Sequence, residues 1–195
     1  MSIARMIAPS QINKLINRIS LYDDAVAYKE LFLLYHAKLI QFSSLITGNR
    51  EYAEEVVSDV FLKFWNNRNK LSRVDNFHLY AYIATKNQSL NYLRKINREK
   101  VFSLDEMVIE FKSLYYDPEQ LMITAEMFNR IRKAIDMLPP RCQLIFKLIK
   151  EDGLMHREVA ELLNLSLKTV ENQMTIALKK IGQSIEFVPR KSSFT

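Results

Sequence analysis

Apolar residues recur along this chain three and four positions apart, the spacing that returns a side chain to one face of an α-helix. Ile12, Leu15, Ile16 and Ile19 share a side, which predicts a short helix over Ser10–Ile19. From Asp23 to Thr47 the periodic set is Ala27, Leu31, Leu34, Leu39, Phe42 and Leu45, and Gly48 follows as a stop signal. Ala53–Trp65 is more sharply patterned, with Val56, Val57, Val60, Phe61, Phe64 and Trp65. A third long segment, Asn76–Ile96, carries Leu79, Tyr82, Ile83, Leu90 and Leu93, and Tyr82 is the tyrosine best suited to the core. Three helices of this length can close a small core of their own.

The pattern breaks from Asn97 to Asp117, where VFSLDEMVIEFKSLYYD mixes acids, aromatics and aliphatics. This reads as a linker. Its acids, Asp105, Glu106, Glu110 and Asp117 against Lys112, suit it either to fold back on basic modules or simply to stay solvated. Periodicity resumes behind Asp117-Pro118-Glu119-Gln120, with Asp as the N-cap, Pro in the first turn and Gln three residues after the cap. That helix is expected to reach Met137, where Pro139 and Pro140 end it and open another over Arg141–Lys150. Glu151-Asp152-Gly153 reads as a turn, and helices over His156–Leu163 and Leu167–Gly182 complete the set. The fold expected is all-α, two small helical domains joined by a linker. The divisions are an N-terminal extension at 1–20, a helical domain at 21–97, the linker at 98–117, a four-helix domain at 118–183 and a loose tail at 184–195.

The last two helices and their turn follow the plan of a helix-turn-helix, a module that lays its second helix in the DNA major groove. Val159, Ala160 and Leu163 form the inner face of the first helix, and the small Ala160 lets the second cross closely. Asn164 sits where a left-handed backbone is useful, Leu165 plugs the turn and Ser166 is placed to cap the next helix. Val170, Met174, Ala177, Leu178 and Ile181 are expected to line the buried face. That leaves Lys168, Thr169, Glu171, Asn172, Gln173 and Thr175 outside. Thr169, Asn172 and Gln173 are short enough to meet base edges, whereas Lys168, Lys179, Lys180 and Arg157 suit phosphate. Glu171 is suited either to accept from cytosine or to pair with Lys168. Any surface helix also shows a polar outer face, so the motif is stronger than its single residues.

Charge points the same way. The chain has a net charge of +6 and a pI near 9.3, a balance that favours polyanionic partners through steering and counterion release. Apolar content of 48% supplies a real core, and only 3 glycines and 5 prolines leave long helices uninterrupted. The single cysteine, Cys142, excludes an intrachain disulfide and reads as a small buried hydrophobe. His36, His78 and His156 are scattered without ligand-spaced companions, so no metal and no cofactor is expected. Gly48, Gly153 and Gly182 form no phosphate-cradling loop. The N-terminus is too polar for a signal peptide and no run suits a membrane span, so a cytoplasmic protein is expected.

LPPRCQLIF, followed by HREVAELLNLSLKTVENQM and ALKKI, resembles the promoter-reading carboxy-terminal domain of bacterial sigma-70 factors of the extracytoplasmic-function (ECF) type. EYAEEVVSDVFLKFW resembles their polymerase-binding helix, and both occur in the order of that family, over roughly Asp23 to Ile181. The wording is most similar to members from the Bacteroidetes. The resemblance implies a promoter-specific initiation factor that is not itself an enzyme. Its first domain is implied to bind the clamp of the polymerase's largest subunit and melt the −10 element; its second is implied to read the −35 element near the flap region. Carried onto this chain, Glu54, Glu55, Asp59, Lys63 and Trp65 fall on or beside the clamp-binding surface. YIATKNQSLNYLRKINREK resembles the helix that captures melted DNA, with Lys86, Arg94, Lys95, Arg98 and Lys100 for charge and Asn87, Gln88 and Asn91 as base-reading amides. The preceding LSRVDNFH resembles the segment that pockets a flipped base, which adds Arg73, Asn76 and His78.

Two positions depart from the family pattern: Ser58 stands where Gln is common and His156 where Tyr is frequent. The resemblance also implies an anti-sigma partner, which no segment identifies. Two other readings stay open at this point. One is a stand-alone helix-turn-helix regulator, which would need to be a dimer to read enough base pairs. The other is a helical polymerase-interaction protein without initiation activity.

Overall fold

Short polar residues set the ends of several helices. In the computed structural model, which describes residues 9–96 and 122–186, Asp24 caps α2 (Ala25–Thr47) by accepting from the backbone N–H groups of Val26 and Ala27. Gly48 closes that helix at φ 67°, a left-handed conformation that favours glycine, and its N–H reaches the Ser44 carbonyl. Asn49 then caps α3 (Arg50–Asn66) through the N–H groups of Glu51 and Tyr52. Before α2 lies α1 (Pro9–Tyr22); after α3 come a 3-10 helix (Arg68–Arg73) and α4 (Phe77–Ile96), which Asn76 caps at the Leu79 N–H, 3.1 Å away. The described residues are all-α, as the periodicity predicts.

α2, α3 and α4 pack around Leu31, Leu39, Phe42, Val57, Val60, Phe64 and Tyr82. Where α2 crosses α4 the core residues shrink to Ser43 and Ser89, both fully buried, with their hydroxyls 2.8 Å apart. Ser89 also meets the Thr85 carbonyl, so this small polar seam is satisfied while the backbones approach closely. α1 lies along α2 and the 3-10 helix, burying Leu15, Ile16 and Ile19, and the Ser20 hydroxyl bonds to the Arg68 carbonyl.

α5 (Met122–Asp136), α6 (Pro140–Lys150), α7 (His156–Leu163) and α8 (Leu167–Glu186) form the second group, with Cys142, Ile145, Leu148, Val159, Leu162, Val170, Met174 and Ala177 inside. Leu178 corrects the sequence reading. It is 53% exposed, because the buried positions of α8 run 170, 174, 177 and 181, and residue 178 falls off that stripe. The linker, the Asp117 cap, Arg98, Lys100 and the end of the tail lie outside the described residues. Among the described residues no helix is long and apolar enough to cross a membrane.

Candidate nucleic-acid interface

The turn between α7 and α8 is built from three local choices. Asn164 adopts φ 56°, ψ 47°, the left-handed conformation that an asparagine tolerates better than a branched residue, and its N–H closes α7. Leu165 tucks partly into the core. The Ser166 hydroxyl accepts the Thr169 N–H at 3.0 Å and lies 2.8 Å from the Thr169 hydroxyl, capping α8. With Val170, Met174 and Ala177 turned inward, α8 presents Lys168, Glu171, Asn172, Thr175, Lys179 and Lys180 to solvent. Thr169 and Gln173 are half-buried; Arg157 is exposed at the start of α7, beside exposed His156. Cys142 is buried, donates to the Gln173 carbonyl at 3.2 Å, and its thiol is pushed up by burial, so it is held as a core residue.

α3 and α4 form a second polar surface. Glu54, Glu55 and Lys63 are exposed and Asp59 is half-buried. The Gln88 amide of α4 ties two of them together, donating to Asp59 at 3.0 Å and accepting from Lys63. The Tyr92 hydroxyl donates to Glu55, which pushes the phenol up to about 12. Glu54 pairs with Arg50 at 2.8 Å. The Ser58 hydroxyl bonds back to the Glu54 carbonyl, so this departure from the family pattern is accommodated within the helix. Trp65 is half-buried: its ring lies 4.9 Å from Tyr28, and the Arg68 guanidinium sits 4.6 Å above it. Leu62 is 60% exposed on the same helix, an apolar side chain among acids that periodicity alone assigns to neither core nor surface.

The residues expected to handle single-stranded DNA divide into two groups. Asn87, Asn91, Arg94 and Lys95 are exposed along the outer face of α4, and Arg94 donates to Asn91 at 3.1 Å. Arg73 is exposed at the end of the 3-10 helix. Asn76, His78 and Lys86, however, face the second group of helices. Asn76 donates to Glu158 of α7, and the Lys86 ammonium donates to the Leu162 carbonyl at 2.7 Å. His78 lies 3.2 Å from the Tyr35 hydroxyl, and burial, with Lys38 adding, lowers its pKa. Glu158 is the residue that sequence reasoning missed. It is buried, and its second oxygen accepts the Met155 N–H at 2.7 Å, the back-reaching half of a capping box whose N-cap is not Ser or Thr. A Glu at the third position of a helix was the available signal, hidden because Met155 supplies no capping hydroxyl.

The chain compares with known proteins over both groups of helices. Residues 31–99 match Sigma-70 region 2, and residues 128–181 match Sigma-70 region 4. The ECF RNA polymerase sigma factor SigW of Bacillus subtilis is 22% identical over 158 residues, covering 77% of this chain and 84% of that protein. The ECF RNA polymerase sigma-E factor of Escherichia coli is 23% identical over 176 residues, covering 86% and 91%. Among solved structures, the fold is similar to that of the sigma factor RpoE in complex with the anti-sigma factor NepR from Bartonella quintana, with a TM-score of 0.54, 19% identity and coverage of 83% of this chain and 98% of that one. It is similar also to CnrH in complex with the cytosolic domain of CnrY, at a TM-score of 0.50, 17% identity and coverage of 90% and 97%. Two sigma-70 regions in order along one chain, with ECF relatives spanning both, identify the protein: it belongs to the ECF RNA polymerase sigma factor family of the sigma-70 superfamily.

Proposed function

We propose that this chain is a dissociable, promoter-specific initiation factor. The observation that carries the reading is that one chain holds three chemically different surfaces. An acidic face on α3 suits a basic protein partner, the core-polymerase clamp. The basic, amide-bearing face of α4 suits melted −10 DNA. The amide- and lysine-bearing outer face of α8 suits the −35 element as duplex. Phosphodiester chemistry belongs to the core enzyme, and this chain needs no metal or cofactor for its part. An anti-sigma factor is a proposed partner, supported by two fold relatives whose structures are of complexes, one with a named anti-sigma factor. A cytoplasmic location and a Bacteroidetes-like source belong to the same proposal.

Run-off transcription with core polymerase from the source organism, on a library of its promoters, tests this. Starts that require the chain are expected. Asn172→Ala should lower them about tenfold or more by removing an amide contact to a base edge. Glu54→Lys should raise the factor concentration needed for half-maximal output about tenfold by reversing charge on the clamp-facing helix. Duplex binding without any core-dependent start would sink the proposal and favour a stand-alone helix-turn-helix regulator; core binding without starts would favour a polymerase-interaction protein.

A further inference from the structure

Asp59 and Lys63 stand four residues apart on α3, a spacing that lets a carboxylate and an ammonium pair across one turn. They do not pair with each other; the Gln88 side chain of α4 stands between them. Its amide N–H donates to Asp59 at 3.0 Å, and its carbonyl accepts from the Lys63 ammonium. A carboxylate at this position could hold only the lysine, and an ammonium only the aspartate. An amide holds both and adds no charge. Gln88 is half-buried, with each end of its amide turned toward α3. One turn on, the Tyr92 hydroxyl donates to Glu55, and its ring lies 5.3 Å from that of Tyr52 of α3. Asn87 and Arg94 of α4 are, by contrast, exposed.

We infer that Gln88 and Tyr92 are positioning residues for the polymerase-facing surface of α3 and not base readers: from α4 they hold Asp59, Lys63 and Glu55 in place for the clamp. The inference rests on the function proposed above for α3 and adds two residues that act there through others. Its physical basis is preorganisation. A long charged side chain loses rotamer freedom when a partner fixes it, and that loss weakens binding. Gln88 fixes Asp59 and Lys63 beforehand. It does so without using all of the ammonium's donors or both carboxylate oxygens, so each charge keeps groups to offer a partner. Direct pairing would instead turn the two charges on each other. Loss of Gln88 therefore weakens core binding through α3 and leaves strand capture by α4 as it was.

The test uses the full chain, fluorescein-labelled at its N-terminus, and core polymerase from the source organism without DNA. Gln88→Met keeps the length of the side chain and removes both hydrogen bonds; it is expected to weaken core binding about fivefold. In a chain that also carries Asp59→Ala and Lys63→Ala, the same change should have less than about a twofold effect, because nothing remains to be positioned. Tyr92→Phe keeps the ring and should behave likewise, with a loss of about threefold alone and none beside Glu55→Ala. Each variant is first checked for an unchanged melting curve, and Tyr92→Phe carries the test if Gln88→Met does not fold. Holoenzyme formed at saturating concentration should capture a single strand of about 20 nucleotides from its strongest promoter as tightly with either variant as with wild type. Equal losses in both backgrounds would mean that Gln88 touches the polymerase itself. Weaker strand capture at unchanged core affinity would mean that it reads a base. Either result overturns the inference, as does unchanged core affinity in Gln88→Met and Tyr92→Phe while Asp59→Ala with Lys63→Ala loses it. If that last pair binds core as tightly as wild type, the clamp-facing reading of α3 falls, and the inference falls with it.

Discussion

Tyr82 is fully buried between Phe42 and His78, and its hydroxyl makes no hydrogen bond of regular geometry. The Asp152 carboxyl is near enough to attract the hydroxyl proton, though the two do not meet at the distance and angle of a regular hydrogen bond. An unmet buried hydroxyl costs free energy, whereas its replacement by hydrogen in the same ring does not. Tyr82→Phe is therefore expected to leave stability unchanged or to raise it by up to about 1 kcal/mol. A thermal melt showing a comparable loss would mean that the hydroxyl is satisfied in solution. That Tyr82 belongs to the core was legible in its spacing with Leu79 and Ile83; that its oxygen lacks a partner was not, because the neighbours above it come from residues far along the chain. Leu178 marks the opposite limit. Its helical position is compatible with either face, and the packing of α8 on its neighbours leaves it outward.

Helices were the most legible level. Their ends are written in local chemistry, as at Gly48 and Ser166, and local chemistry does not depend on the rest of the fold. The turn before α8 shows how far this goes. Asn164 at φ 56° is placed where a β-branched side chain would clash with its own backbone. Asn164→Val should cost about 1–2 kcal/mol in chemical denaturation, and Asn164→Gly should be nearly neutral. Equal losses in the two variants would place the importance of Asn164 in its side chain instead of its backbone. The 3-10 helix was not legible, because its six residues, RNKLSR, show no repeat and are held by Ser20 of α1 and by Arg68 pairing with Asp23.

At the scale of the molecule, contact between the modules joins residues 76 to 82 positions apart through single polar groups, and such pairs leave no periodic trace in a sequence. They do leave a trace in titration. Burial, with the adjacent Glu151 carboxylate adding, pushes the Asp152 carboxyl up from 3.8 to about 6; Tyr82, Lys38 and Lys147 oppose it. The docked form thus holds this proton more tightly than the undocked form. Its contribution favours docking in acid and is lost as pH rises from about 4 through about 6. His78 is held below its ordinary value by burial and Lys38, while Glu158 and the Asp152 backbone of the second module act to raise it. Comparison with Asp152→Asn cancels the histidine. The ratio of wild-type to variant docking constants, read from distances between spin labels on cysteines introduced at exposed Lys29 and Gln183, should fall across that window by at most about a hundredfold. A ratio independent of pH would mean that Asp152 is equally buried when the modules are apart.

The shared use of Asn76, His78 and Lys86 has an evolutionary consequence. A substitution at any of them alters the seat of α7 together with the proposed contacts to melted DNA. Promoter preference and the seating of the second module are then not separate traits that selection can adjust one at a time. A lineage that retunes this end of α4 for a new promoter must also retune Glu158 or the α6–α7 turn, or accept a looser seat for α7.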